Sequence, residues 1–105
     1  MTKVLKHISG LRVEILGLNS QGLSTVTLVG REAWTCRLLL QAGKQGISSL
    51  NHPGARISHY IFKLRSYGFA IETIYSKHGG DFPGVHAVYV NHSDTRILED
   101  RKVAA

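Results

Sequence analysis

A chain of 105 residues is one domain's worth, enough for a single modest core, so any activity it has must be simple or shared with a partner. Its 13 Lys and Arg against 7 Asp and Glu leave a formal charge of +6 and a pI near 9.8, a balance that favours phosphate backbones or anionic surfaces. The lone cysteine, Cys36, excludes an intramolecular disulfide and agrees with a reducing cytoplasm.

At the N-terminus, Lys3 and Lys6 are not followed by an apolar run long enough for a signal peptide, and no stretch approaches roughly 18 uninterrupted apolar residues. A soluble, cytoplasmic protein with no membrane partner is expected. Leu11, Val13 and Ile15 then alternate with Arg12, Glu14 and Leu16, and after Asn19-Ser20-Gln21-Gly22 the run Leu23 to Val29 repeats the two-residue period. This predicts a β-hairpin over 1–29. Such a hairpin either completes the core as an added edge or serves as a dimerisation or partner-docking edge, and the first reading is preferred because half-buried hairpins usually complete a core.

From Arg31 the period changes. Ala33, Trp34, Cys36, Leu38, Leu39 and Leu40 are too dense for a surface helix and fit one buried on most sides, ending at Ala42 with Gly43 in a left-handed cap. Ile47 to Leu50 is long enough for only a stunted second helix, and Asn51-His52-Pro53-Gly54 turns the chain. Ala55 to Tyr67 is the clearest helix: Ile57, Ile61 and Leu64 form a core stripe, Tyr60 lies at its edge and Gly68 stops it. Its opposite side carries Ser58, His59, Phe62, Lys63 and Ser66, with Arg56 and Arg65 on the flanks. Hydroxyls, an imidazole and cations suit hydrogen bonding to bases and phosphates. Phe62 on that side has three readings: a thymine methyl contact, packing under a neighbouring hairpin, or a protein interface.

Phe69 to Ser76 and Val85 to Val90 read as paired strands around the glycine-rich stretch Lys77 to Gly84, where Lys77 and His78 are placed to reach a phosphate or a minor groove. The remainder, 93–105, has only Ile97, Leu98 and Val103 as apolar residues besides its two terminal alanines, and predicts a short helix or a frayed tail.

The order of a buried helix, a short helix, a basic helix and a glycine-tipped hairpin is that of a winged helix-turn-helix. The turn Leu64-Arg65-Ser66-Tyr67-Gly68 followed by Phe69-Ala70-Ile71 resembles the biotin-repressor-type winged helix. Arg56, Ile61, Leu64, Arg65, Gly68, Ile71, Glu72, Thr73, His78, Gly79 and Gly80 are similar to a pattern in small winged-helix proteins of bacteria, prophages and phages. The resemblance covers about 31–90. It implies an α+β winged helix-turn-helix over 30–92 with an additional N-terminal β-hairpin. It further implies binding of double-stranded DNA at the nucleoid and a role in transcription regulation, with homodimerisation expected because one small half-site gives limited specificity. The expected DNA-binding residues are Arg56, Ser58, His59, Lys63, Arg65, Lys77 and His78. The rival reading is a winged helix that binds protein through the N-terminal hairpin or Phe62.

Other chemistry has little support. His86 and His92 are six apart and could share a strand face, but the six histidines include no His-x-x-x-His spacing and there is no Cys-x-x-Cys. No nucleophile elbow, carboxylate pair or phosphate-binding loop is visible, so neither an enzyme, a metal site nor a cofactor is expected.

Overall fold

The apolar alternation of Leu11, Val13 and Ile15 builds the central strand of the first of two sheets. The structure is a computed structural model that describes residues 10–16, 23–52, 56–79 and 84–101. Strand β1 (Gly10–Leu16) pairs antiparallel with β2 (Leu23–Val29), from Gly10 opposite Val29 to Leu16 opposite Leu23. Leu11, Val13, Ile15 and Leu28 are buried in the same core as residues of both helices, so this hairpin completes the core. Its connecting loop lies outside the described residues.

The second edge of β1 is filled from the far end of the chain. Asp94–Arg101, expected as a short helix or tail, is a strand, called β6 below, in a sheet of order β2-β1-β6. Its pairing slips between Arg12 and Val13, so that Leu98 is an extra residue between Ile97, opposite Val13, and Glu99, opposite Arg12. That bulge places two apolar residues side by side and hides the alternation. Charges hold the register instead, with Arg96 3.0 Å from Glu14 and Arg12 4.0 Å from Glu99.

Helix α1 (Gly30–Ala42) packs on β1 and β2 with one side and on the second helix and second sheet with another, which explains its density of apolar residues. Arg37 closes its outer edge by donating from Nε and Nη2 to Asp100 of β6. Gly43 has φ 57 and ψ −130, outside the left-handed cap expected for it, and the chain passes into a 3-10 turn over Gly43–Gln45. The stunted helix expected at Ile47 to Leu50 is instead strand β3 (Ile47–Ser48) followed by a 3-10 turn at Ser49–Asn51. Tertiary pairing overrides the helical reading here, because Ile47 lies opposite Tyr89 and both are buried. Gly46 makes the approach feasible at φ 73: a Cβ there would lie 2.6 Å from the Tyr89 carbonyl oxygen and 2.8 and 2.9 Å from methyls of Val90 and Val88.

Helix α2 (Ile57–Ser66) buries the predicted stripe of Ile57, Ile61 and Leu64. It is shorter than expected because Arg56 has left-handed φ and ψ and so cannot be a helical residue; Ala55 lies outside the described residues. The Tyr67 hydroxyl donates to Glu32 of α1 at 2.8 Å, tying the end of α2 to the start of α1. Strands β4 (Ile71–His78) and β5 (Gly84–Asn91) then form an antiparallel hairpin in a sheet of order β3-β5-β4. A polar network anchors its base: Ala70 N–H donates to Ser93 Oγ, His92 N–H to the Ala70 carbonyl, and His92 Nε2 lies 2.6 Å from Glu72. No helix of the described residues is long and apolar enough to cross a membrane.

Candidate nucleic-acid interface

The stripe that anchors α2 also decides what it shows outward. With 3.6 residues per turn, burying Ile57, Ile61 and Leu64 leaves Ser58, Phe62 and Ser66 on the opposite side, flanked by His59 and Lys63. All but Lys63 are exposed, and Lys63 is half-buried. The exposure of Ser58, His59, Phe62 and Ser66 leaves this face uncovered among the described residues, and α1 packs on the N-terminal hairpin. The His59 ring stands edge-on to Tyr60 at 5.0 Å between centroids, which fixes the direction of its imidazole. Phe62 lies in the middle of the face and is 69% exposed.

Arg56 begins the helix in the left-handed region, with φ 55 and ψ 46, and its side chain makes no capping hydrogen bond. A non-glycine residue held there carries about 1 kcal/mol or more of backbone strain. Arg56 is exposed, and no N-cap side chain occupies the first-turn N–H groups of the helix it begins, at the positive end of the helix dipole.

Arg65 is engaged within the fold. Its Nε and Nη2 donate to the Ile71 carbonyl at 3.1 and 2.7 Å, and Nη2 donates to Thr73 Oγ1 at 2.8 Å. Three of its five N–H donors are thus directed at the helix-to-strand corner, and only the Nη1 pair is left for an outside acceptor.

The hairpin continues the α2 side. Ile71, Thr73, Tyr75 and Lys77 share one face of β4, opposite Asn91, Tyr89, Ala87 and Val85 of β5. At the base this face turns toward the helices, since Ile71 and Tyr89 are buried and Arg65 reaches Thr73. Further out the same face carries Tyr75, 74% exposed, and then Lys77, about 14 Å beyond Thr73 at strand spacing. His78 pairs with Gly84 through its backbone, and its side chain lies outside the described residues, as does most of the hairpin tip. Tyr75 was not among the expected site residues; its two-residue spacing sets it on one face with Ile71 and Thr73, and the contact of Arg65 with Thr73 turns that face to the α2 side.

Charge is segregated between the first sheet and the part of the chain formed by α2 and the β4–β5 hairpin. The strands β1, β2 and β6 carry three arginines against four carboxylates, whereas the described residues from Arg56 to Asn91 carry Arg56, Lys63, Arg65 and Lys77 against Glu72 alone. Arg12, Arg96, Arg101 and Arg37 all pair with carboxylates, and Glu72 is held by His92. Arg56, Lys63 and Lys77 form no ion pair with a described residue. An uncovered helix face flanked by unneutralised cations, with a hairpin projecting on the same side, can receive a polyanion of regular spacing. No group of three or more His, Cys, Asp or Glu among the described residues is placed to hold a metal ion.

Residues 25–101 match the model of a family described as a winged helix domain. No curated protein and no solved structure matches the chain.

Proposed function

Because the chain belongs to the winged helix domain family, we propose that it binds double-stranded DNA sequence-specifically and acts as a small transcriptional regulator. α2 lies in the major groove with Ser58, His59 and Lys63 toward base edges and Phe62 against an apolar feature such as a thymine methyl. Arg56 and Lys77 neutralise phosphates on either side, and the hairpin sets the register against the backbone or minor groove. Such a protein works at the nucleoid. The observation that carries this reading is the open α2 face whose cations, with those of the hairpin, lack carboxylate partners among the described residues.

Titration of a labelled random duplex by fluorescence anisotropy at two salt concentrations tests it. Each phosphate contact adds about 0.9 to the log-log salt slope, or roughly 3.5-fold in affinity between 50 and 200 mM salt. With Arg56 and Lys77 on phosphates, the wild type weakens roughly 12-fold over that range, and Arg56→Ala/Lys63→Ala, which keeps only the Lys77 contact, weakens about 3.5-fold. A wild type indifferent to salt, or a double variant that binds as the wild type does, removes the reading.

The exposure of Phe62 and Tyr75 on the same side favours one alternative, a winged helix whose α2 face receives another protein, since buried aromatics dominate such interfaces. That alternative predicts no salt-dependent association with duplex in the same titration.

A further inference from the structure

Strand β2 is an edge of a kind that folded proteins seldom leave bare. Among the described residues it pairs with β1 alone, and its seven residues, LSTVTLV, contain no charge, no proline and no bulge. Charged side chains, proline, bulges and short length are the usual means of preventing a further strand from adding to an edge. The other edge of the same sheet, β6, has them in Asp94, Arg96, Glu99, Asp100, Arg101 and its slipped register. One edge is protected and the other is open.

The open edge is also nearly self-complementary. With a two-fold axis at Val26, an antiparallel copy of β2 sets Thr25 opposite the second copy's Thr27, Ser24 opposite its Leu28, and Leu23 opposite its Val29. Threonine pairs are favourable cross-strand neighbours. Leu23 and Val29, 63% and 49% exposed in the single chain, cover each other in that register. We propose that a second copy of this chain pairs with β2 about Val26, joining two three-stranded sheets into one of six strands.

The inference uses nothing from the DNA reading, and its test contains no DNA. If both hold, the dimer presents two α2 faces related by a two-fold axis, since α2 and the β4–β5 hairpin are not part of the joined sheet, and the target is an inverted repeat. A seven-residue strand pair is only about 24 Å long, so the dimer is reversible and concentration-dependent.

Sedimentation velocity of the full chain over about 1 µM to 1 mM, the range in which a small interface dissociates, tests the pairing with two variants. Thr25→Lys/Thr27→Lys sets lysine opposite lysine twice across the axis. Thr25→Lys/Thr27→Glu sets opposite charges together twice, and within the chain it also suits Glu14 and Arg12, which lie opposite positions 25 and 27. The wild type and the Lys/Glu variant are expected to dimerise alike, and the Lys/Lys variant, folded by circular dichroism, to dissociate roughly tenfold to a hundredfold more readily. A monomeric wild type, or a folded Lys/Lys variant that dimerises as the wild type does, overturns the proposal. If the Lys/Lys chain fails to fold, the Lys/Glu variant decides: a dimer as tight as the wild type that loosens with added salt supports the register, and a weaker dimer refutes it.

Discussion

Replacing Arg65 separates bracing of the fold from contact with phosphate. Its three hydrogen bonds reach only two acceptors, the Ile71 carbonyl and Thr73 Oγ1, so they count as about two interactions of roughly 1 kcal/mol each. The side chain is exposed, and ordering a long flexible arginine offsets part of that gain. Arg65→Ala should therefore destabilise the chain by about 1–2 kcal/mol, a melting shift on the order of 4–15 °C for a domain of this size. Arg65→Lys retains the charge but lacks the planar fork that spans both acceptors, so its stability loss should be close to that of Arg65→Ala. Urea unfolding supplies the free energies and a duplex titration supplies the affinities. With Arg65 acting as a brace, both variants lose stability, and Arg65→Lys binds duplex with the wild-type salt slope. An Arg65→Ala chain as stable as the wild type, with a salt slope lower by about one contact, would refute the reasoning and return Arg65 to the phosphate-binding set.

Gly46→Ala should cost about 3 kcal/mol or more, because the added methyl meets the backbone oxygen of Tyr89 and two valine methyls at a φ that only glycine adopts easily. A change below about 1 kcal/mol in urea unfolding would show that β3 can shift away from β5 without penalty. Burial pushes the Cys36 thiol up from 9.0 to about 12, opposed in part by the charge of Arg37. The unfolded thiol ionises first, so this stabilisation is complete below pH 9 and is lost as pH rises toward 12. Across that window the wild type should lose up to about 1.4 kcal/mol per pH unit more than Cys36→Ala, measured by denaturant midpoints, and equal slopes for the two proteins would contradict it.

Much of this molecule is legible along the chain. The two-residue alternation of Leu11, Val13 and Ile15 and the helical stripe of Ile57, Ile61 and Leu64 each follow from backbone geometry that recurs within a few residues. Those patterns located the hairpin, the outward face of α2 and the strands that flank the glycine-rich tip. They could not locate β6, whose charges pair with residues of β1 far away in sequence and whose bulge breaks the period. Nor could they distinguish a short helix from β3, because a two-residue strand exists only where Tyr89 and its neighbours meet it.

The candidate site divides in the same way. Ser58, His59 and Lys63 were readable, since a helix's outer face follows from its inner one. The destination of Arg65 and the placement of Tyr75 on the α2 side depended on how α2 meets β4. Sequence by itself determined which residues β1 and α2 would bury or expose, because side-chain periodicity is a local property of the backbone. Only the tertiary structure decided which strands became neighbours and which cations were left without an ion-pair partner among the described residues, because those choices are made between segments that the chain brings together only on folding.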